Sequence, residues 1–320
     1  MGRRVVETAL ERGHNITLFH RGMDGADLFE GQVERILGNR DGELDKLAGR
    51  KWDAVVDTPG YFPRAVRASA EFLKDAIDKY LFISTISVYD PEPGAESITE
   101  DTRKATLKDE TVEEVTPETY GGLKALCERA LNEVLGARAV IVRPGYIVGS
   151  HDPTDRFTYW ATRVARGGRM LAGGRKDAPL QVIDARDIGR FNVDLLEQGA
   201  TGIYNVCGPE RPLGWEEFLN RSKQALGAST ELVWVDQSKL EEICAAAGKE
   251  GKDLPLYSGS DVTEYLFMRT DNSRAVARGL TFTPLEDTVR DTVEWANSRG
   301  DVELKVGMSA EREKELLAKL

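Results

Sequence analysis

Tyr120 and Lys124 are the residues of this chain whose types and spacing most directly suggest chemistry. They lie in a stretch, 117–136, that is predicted to be a helix, where a spacing of four residues places both side chains on one face. A lysine ammonium beside a phenol favours the phenolate and lowers its pKa from about 10. Such a tyrosine could exchange a proton with a hydroxyl or carbonyl group near neutral pH. A helix-surface Tyr–Lys pair without chemistry shows the same pattern, so neighbouring residues must decide.

Two predicted strands end in residues that could lie beside this pair. A strand over 79–84 leads into the hydroxyls of Ser84 and Thr85, and a strand over 138–143 leads into Pro144. Both segments are apolar almost throughout, as parallel strands buried on both faces should be. Open α/β sheets bind their ligands at the carboxyl ends of such strands. We therefore expect the strand ends and the helical pair to share one site.

The elements that must position these residues alternate along the first two-thirds of the chain. Candidate strands lie at 15–19, 33–36, 53–57, 79–84, 138–143, 179–183 and 202–206. Candidate helices lie at 3–12, 63–76, 117–136, 154–166, 185–198, 214–226, 237–246, 284–298 and 309–319. This alternation predicts an α/β fold with a doubly wound parallel sheet. The charged, irregular stretch 90–116 is predicted to be a mobile surface loop.

Composition excludes several classes of protein. The formal net charge of −11 over 320 residues makes general binding to nucleic acid or to an anionic membrane unfavourable. The sequence contains no apolar run of 18 residues, so no membrane-spanning helix is predicted. The N-terminus also lacks the apolar core of a signal peptide. The three cysteines and three histidines do not cluster, which argues against disulfides and against a metal site. We expect a cytoplasmic protein without a metal or membrane partner.

Taken together, these segments resemble the extended and atypical short-chain dehydrogenase/reductases, the NAD-dependent epimerase/dehydratase family. The resemblance runs from Gly2 to about residue 298 and includes the later segments 184–187 and 202–206. It implies a Rossmann-like doubly wound parallel sheet with a smaller C-terminal substrate domain. We expect a dinucleotide-binding domain formed by residues 1–150 and 179–206. The substrate domain is expected to comprise residues 151–178 and 207–300, followed by a tail helix at 301–320.

The resemblance also implies catalytic roles. Tyr120 would be the acid/base, Thr85 would hydrogen-bond the reacting oxygen, and Lys124 would also hold the nicotinamide ribose, with Pro144 bordering the nicotinamide ring. The sugar dehydratases of the family carry an Asp-Glu pair directly after the threonine. This chain has Ile86-Ser87 there, which argues against elimination of water through carboxylates.

The expected cofactor is NADP in preference to NAD. NAD-preferring relatives carry an acidic residue at the end of the second strand, where this chain has His20-Arg21. Arg21 could bind a 2′-phosphate through a charge-assisted hydrogen bond, although a solvated arginine in a turn is the simpler interpretation. Further cofactor contacts are expected from six residues: Gly2, Asn39, Arg40, Asp57, Thr58 and Ser84. The segment 57–61 should pass over the pyrophosphate and adenosine, although it departs from the small apolar residues common there.

The substrate cleft is expected to be lined by Tyr146, His151 and Arg156, with a smaller contribution from Ser87. The segment 151–160 mixes charged and aromatic side chains, which suits a polar, ring-containing ligand. It is equally explained by a capped helix with packed aromatic residues. Ser84 and Ser87 are interpreted chiefly as hydroxyls that satisfy local backbone groups.

The chain begins within a βαβ unit. A predicted helix at 3–12 precedes the strand at 15–19, and Gly2 stands where the last glycine of a pyrophosphate-binding turn would be. Without a strand before that turn, the strands at 15–19 and 53–57 would lie about 10 Å apart with unpaired inner edges. We interpret this as a sequence that starts too late. A chain extended upstream by a strand and a G-x-x-G-x-x-G turn should be more stable and bind dinucleotide more tightly.

Two functions follow from the sequence. The first is an NAD(P)-dependent oxidoreductase or an isomerase of the epimerase type, acting on a hydroxyl or carbonyl group of a small polar or sugar-like substrate. The second is a non-catalytic binding or regulatory role, including association with RNA, against which the acidic charge argues. By analogy with relatives that pair through helices corresponding to 63–76 and 117–136, we expect a homodimer.

Overall fold

The computed structural model describes residues 1–23, 25, 27–245 and 253–320. Its helices are α1 Gly2–Glu11, α2 Pro63–Leu73, α3 Pro117–Leu135, α4 Arg156–Ala165, α5 Ala185–Glu197, α6 Trp215–Leu226, α7 Gln237–Ala245, α8 Val262–Phe267, α9 Ser273–Ala277, α10 Leu285–Ser298 and α11 Ala310–Leu317. Its strands are β1 Thr17–His20, β2 Glu34–Leu37, β3 Trp52–Asp57, β4 Ile77–Ile83, β5 Ala139–Pro144, β6 Tyr146–Val148, β7 Arg169–Gly173, β8 Pro179–Leu180, β9 Val182–Asp184, β10 Gly202–Val206, β11 Leu213–Gly214 and β12 Glu231–Trp234.

The predicted α/β architecture is confirmed. Each of the nine predicted helices has an observed counterpart, and the predicted strand at 179–183 is divided into β8 and β9. The sequence did not predict β6, β7, β11, β12, α8 or α9. These elements have two to six residues, which is too short for a period of 2.0 or 3.6 residues to stand out.

The chain divides into two compact units. The first comprises Met1–Gly145, Arg186–Val206 and Asp271–Thr281, and the second comprises Tyr146–Ala185, Cys207–Thr270 and Phe282–Leu320. This division differs from the expected domains at four places. Residues 146–150, residues 179–185 and the tail helix belong to the second unit, and residues 271–281 belong to the first.

The main sheet of the first unit has the strand order β10-β5-β4-β3, with all strands parallel. Its two central strands are buried on both faces, since every residue of β5 and five of the seven residues of β4 are buried. A separate parallel pair is formed by β1 and β2. Within the described residues β1 and β3 belong to different sheets, and the Trp52 indole donates to the Thr17 hydroxyl at 3.1 Å.

The helix α3 carries the Tyr–Lys pair and begins at a well-defined residue. Thr116 and Thr119 form a reciprocal capping box, and Pro117 occupies the first turn. The apolar face of α3 packs against α2 and the sheet through a cluster of buried residues, which includes Val66, Leu73, Phe82, Cys127 and Leu131. This packing fixes Tyr120 and Lys124 relative to the end of β4.

The stretch 90–116 is irregular and mostly exposed, as predicted, but it is anchored to the core at a few residues. Ile98 is fully buried and Glu100 is 6% exposed. Arg143 donates to the Glu100 carbonyl at 3.2 Å, and Lys104 forms an ion pair with the buried Glu128. The stretch has few regular hydrogen bonds but is anchored to the core by these contacts.

The second unit contains three short strand pairs, β6–β9, β7–β12 and β8–β11. Its core is aromatic: Trp215 contacts the rings of Trp160, Phe218 and Tyr257 at centroid distances of 4.8–5.3 Å. The helices α4, α6 and α10 pack together around this core. The part of the chain that the structure describes holds no helix that is both long and apolar enough to cross a membrane.

Candidate active site

Tyr120 and Thr85 lie together at the carboxyl end of β4. The two side chains lie close enough for Thr85 to affect the pKa of Tyr120. The Thr85 hydroxyl accepts from the backbone N–H of Ser87 at 3.1 Å and donates to the Ser87 hydroxyl at 3.2 Å. Burial raises the pKa of Tyr120 above its ordinary value, and Thr85 offsets part of that rise. Thr85 is 8% exposed and Tyr120 is half-buried, so the pair is held in place and is still accessible.

Lys124 lies one helical turn after Tyr120 and is 3% exposed. Its ammonium donates to the carbonyl oxygens of Gly60, at 2.8 Å, and Ile83, at 2.6 Å. It also lies 4.1 Å from the centre of the Phe82 ring. Burial lowers the pKa of Lys124 to about 8. The lysine therefore joins the ends of β3 and β4 beneath the site.

The expected effect of Lys124 on Tyr120 is wrong in this structure. The sequence predicted that the ammonium lowers the pKa of the phenol, whereas the pKa of Tyr120 is raised by burial. The reason is geometric, because the lysine donates to two backbone carbonyls at strand ends. Tyr120 is consequently a neutral phenol at pH 7, in the form that donates a proton.

Gly121 allows α3 to approach the turn that holds Ser87. A Cβ atom at this position would lie 2.1 Å from the Ser87 carbonyl oxygen, and one at Gly122 would lie 2.5 Å from Leu107. The absence of side chains at these positions brings Tyr120 within reach of Thr85.

We expect Gly121→Ala to lower the free energy of unfolding by about 1–3 kcal/mol, because the clash with backbone exceeds the gain in helix propensity of about 1 kcal/mol. Urea unfolding measures this difference. Gly214→Ala is a matched control, since its added Cβ would lie 3.6 Å from the nearest carbonyl oxygen and its φ is −75°. Equal stability of the two variants would contradict the prediction.

Tyr61 is a neighbour of the pair that the sequence placed elsewhere. Its ring centre lies 6.4 Å from that of Tyr120 and 5.7 Å from the Lys124 ammonium. The side chain is 45% exposed, and the preceding Gly60 is fixed by the Lys124 hydrogen bond and by contact with Phe82. The segment 57–61 was expected near the pyrophosphate and adenosine. Its departure from small apolar residues was the signal that could have placed Tyr61 at the reacting centre.

The two serines beside Thr85 have different surroundings. Ser84 does not bond local backbone as expected, because its hydroxyl donates to the Glu128 carboxylate at 2.6 Å. That contact also uses the hydroxyl that was expected to face the cofactor. Ser87 is exposed, and its hydroxyl accepts from Thr85 at 3.2 Å. Ser87 is thus accessible to a ligand, whereas Ser84 is 3% exposed.

Arg40 and Asp57 bind each other. The guanidinium donates two hydrogen bonds to the carboxylate, at 2.7 and 2.9 Å, and also contacts Ser69 at 2.7 Å. The Tyr80 hydroxyl completes the shell of Asp57 at 2.7 Å. Both residues were expected to contact the cofactor individually. In the structure the two residues pair with each other at the end of β3, and the buried Arg40 Nε atom has no hydrogen-bond partner.

The remaining expected cofactor residues lie at the start of α1 and at or just after the ends of β1, β2, β3 and β5. The His20 ring accepts from the Gly22 amide at 3.0 Å, and the Asn39 side chain accepts from the Asp41 amide at 3.0 Å, so both stabilise turns. Arg21 is exposed. Gly2 lies beside Thr58, whose methyl carbon would be 3.7 Å from an added Cβ. Pro144 is buried at the end of β5.

Three of the four expected substrate residues, all except Ser87, belong to the second unit. The Tyr146 hydroxyl donates to Glu264, and the Arg156 guanidinium lies 5.3 Å from the Tyr146 ring centre. Burial raises the pKa of Tyr146, and Glu264 raises it further. His151 is exposed, has a φ of 70°, and contacts the Trp295 ring at 5.4 Å. Among the described residues no group of three or more His, Cys, Asp or Glu side chains could hold a metal ion.

Residues 1–207 match the model of the NAD dependent epimerase/dehydratase family. The chain belongs to this family. Among curated proteins, it is 28% identical over 171 residues to the non-reducing polyketide synthase sorB of Penicillium rubens, a match that covers 49% of this chain and 6% of the synthase. The chain therefore matches a small part of that much longer protein.

Solved structures of similar fold cover nearly the whole chain. A putative epimerase from Burkholderia cenocepacia is 18% identical, with a TM-score of 0.65, and covers 93% of this chain and 94% of that chain. The UDP-glucuronic acid 4-epimerase of Bacillus cereus in complex with NAD is 15% identical, with a TM-score of 0.63 and 93% and 95% coverage. The UDP-N-acetylglucosamine 4-epimerase of Methanobrevibacter ruminantium is 17% identical, with a TM-score of 0.65 and the same coverage. These likenesses confirm the Rossmann-like fold.

Proposed function

We propose that this protein is an NAD(P)-dependent enzyme that reduces or epimerises a small polar or sugar-like substrate at a hydroxyl- or carbonyl-bearing carbon. The observation that carries the proposal is the proximity of Tyr120 to Thr85 at the end of a central strand, close enough for the threonine to lower the pKa of the phenol, with Lys124 buried one turn further along α3. An acid and a hydroxyl directed at one substrate oxygen are what proton transfer to that oxygen requires. Membership of the NAD dependent epimerase/dehydratase family supports the same class of reaction.

The donors present fit a dinucleotide. The first turn of α1 has no side-chain cap and no acidic residue, so its free N–H groups suit an anionic pyrophosphate. Gly2 at that end leaves space beside the Thr58 hydroxyl. Lys124 has three N–H donors, and two of them are used by Gly60 and Ile83, which leaves one for a ribose hydroxyl. Bound NAD(P) would supply the hydride donor or acceptor.

Tyr120 would move the proton. As a neutral phenol it donates to the substrate oxygen when a carbonyl is reduced, while Thr85 hydrogen-bonds the same oxygen. The reverse step requires the phenolate, which burial disfavours. A reductase uses Tyr120 only as a proton donor, whereas an epimerase uses it both to remove and to return a proton.

A panel of sugar nucleotides tests the proposal. The first probes are UDP-glucose, UDP-glucuronic acid and UDP-N-acetylglucosamine. Proteins of similar fold are named for these compounds or were solved in complex with them. An epimerase would convert one of them without net change in the cofactor. A reductase would consume NADPH in proportion to a reduced carbonyl product. No turnover of any sugar nucleotide or small carbonyl compound, together with no binding of NAD or NADP, would contradict the proposal.

Cofactor preference depends on Arg21 in this proposal. We expect Arg21→Gln to weaken NADP binding by about 10- to 100-fold and to leave NAD binding unchanged, because a charge-assisted hydrogen bond to the 2′-phosphate is lost. Isothermal titration calorimetry with both cofactors measures the two affinities. Arg50→Gln is the control, an arginine of the same unit that pairs with Glu34. Equal loss for both cofactors would show that Arg21 does not recognise the 2′-phosphate.

A further inference from the structure

A buried carboxylate lies behind the active-site threonine. Glu128, which is fully buried, accepts four hydrogen bonds. Its Oε1 atom binds Ser84 Oγ at 2.6 Å and Arg143 Nε at 2.8 Å, and its Oε2 atom binds a terminal nitrogen of Arg143 at 2.6 Å and Lys104 Nζ at 3.0 Å. These contacts connect α3, the end of β4, the end of β5 and the stretch 90–116.

The network continues through Arg143, which is also fully buried. Its remaining terminal nitrogen donates to the Tyr89 hydroxyl at 2.7 Å, and Tyr89 donates to Asn205 at 2.6 Å. The backbone N–H of Asn205 donates to Glu100 at 3.0 Å. Three strand ends, of β4, β5 and β10, are therefore tied to one another by charged and polar side chains.

Stability alone does not explain this arrangement. Removing an ion pair from water costs free energy that the mutual attraction of the charges often fails to recover, and apolar residues of the same volume frequently stabilise a core better. Burial acts to raise the pKa of Glu128, and the hydrogen bonds and charge of Arg143 outweigh it, so that the carboxylate stays ionised. A fully satisfied network of this kind gives its members one defined position.

The position that it defines is that of Thr85. Ser84 precedes Thr85 in the chain, and Glu128 follows Lys124 by one turn of α3. We propose that Glu128, held by Arg143 and acting through the Ser84 hydroxyl, positions Thr85 against Tyr120. Ser84 is then a positioning residue whose hydroxyl is directed away from ligands. This proposal rests on the proposed function for the role of Thr85 in the reaction, but the geometry that it describes can be tested without a substrate.

The test replaces only the link between the network and the strand. Ser84→Ala keeps the Glu128–Arg143 pair, and Glu128→Gln, which keeps the shape of the side chain, is the second variant in case one of them folds poorly. In the full-length protein with ¹³C-labelled tyrosines, we expect the pKa of Tyr120 to rise in both variants, because a displaced Thr85 lowers that pKa less. The Tyr120 signal is assigned by its loss in Tyr120→Phe. With a substrate from the sugar-nucleotide panel, we expect kcat to fall by about 10- to 100-fold and KM to change little.

The control is Ser222→Ala. Ser222 is a fully buried serine whose hydroxyl donates to the Phe218 carbonyl at 2.8 Å in the second unit. If Ser84→Ala loses stability as Ser222→Ala does, with an unchanged Tyr120 titration, the network is merely structural and the proposal is overturned. A lower affinity for NAD or NADP with unchanged kcat would also overturn it, because Ser84 would then contact the cofactor. If the wild-type protein is inactive but the pKa of Tyr120 still rises in the two variants, only the proposed function is contradicted.

Discussion

Replacing Tyr120 by Phe is expected to lower kcat by about a thousandfold, within the range that general acid–base groups contribute. The substitution removes the hydroxyl that would carry the proton and keeps the ring that contacts Tyr61. The hydroxyl makes at most one side-chain contact, with Thr85, so the free energy of unfolding should change by about 1 kcal/mol or less. Turnover of the best sugar nucleotide and urea unfolding of the same preparation measure the two effects.

Tyr204→Phe is the matched control for this substitution. The Tyr204 hydroxyl donates to the Thr201 carbonyl at 2.9 Å, so its loss also removes one hydrogen bond from the first unit. We expect turnover of this variant to be within about twofold of the wild type, because an isolated hydrogen bond contributes about 1 kcal/mol to stability and not to chemistry. A Tyr120→Phe variant as active as Tyr204→Phe would exclude Tyr120 as the acid.

Parts of the site were predictable because strand ends of a parallel sheet meet at one edge. Thr85 at the end of β4 and Tyr120 on the following helix were expected together, and in the structure they lie close enough for Thr85 to affect the pKa of Tyr120. To make this prediction, only the locations of β4 and α3 and the spacing of residues along the helix had to be known. The conformations of the loops did not matter, which explains why the prediction could be made from the sequence.

The partners of buried charges were not predictable in the same way. Lys124 donates to Gly60 and Ile83, which lie 64 and 41 residues away in the chain. Arg40 and Asp57 each suited a cofactor, and their pairing depends on how β2 and β3 lead into their turns. Such contacts are set by tertiary structure, and neither residue type nor local spacing indicates them.

A signal for the Glu128 network was nevertheless present. Lys124 and Glu128 lie on the same buried face of α3 as Leu123, Cys127 and Leu131, where a charged side chain must find a partner. The same reasoning applies to Arg143 within an otherwise apolar strand. A charge at an apolar position predicts that a buried partner exists, although it does not identify that partner.

The pH dependence of stability gives the second large effect. Lys124 has a pKa of about 8 in the folded protein, against about 10.4 in an unfolded chain. Between these values the unfolded state binds more protons than the folded state, so the free energy of unfolding rises with pH. The contribution of Lys124 to this rise amounts to about 3 kcal/mol between pH 8 and pH 10.5. Lys124 makes no such contribution at pH 7, because its buried ammonium is charged there.

Lys124→Met should remove this rise. At pH 7 the substitution has two opposing effects on stability. Removing the buried charge stabilises the variant, whereas the carbonyls of Gly60 and Ile83 lose their donor at a cost of about 1–3 kcal/mol each. We expect the two effects nearly to cancel. At pH 10.5 the wild-type lysine is neutral and only the second change remains, so the variant should be less stable by about 3 kcal/mol or more. Urea unfolding of both proteins from pH 7 to 10.5 measures the difference, in which the other titrating groups cancel. A constant difference across this range would mean that Lys124 keeps its ordinary pKa, and that the contacts with Gly60 and Ile83 do not exclude water from it.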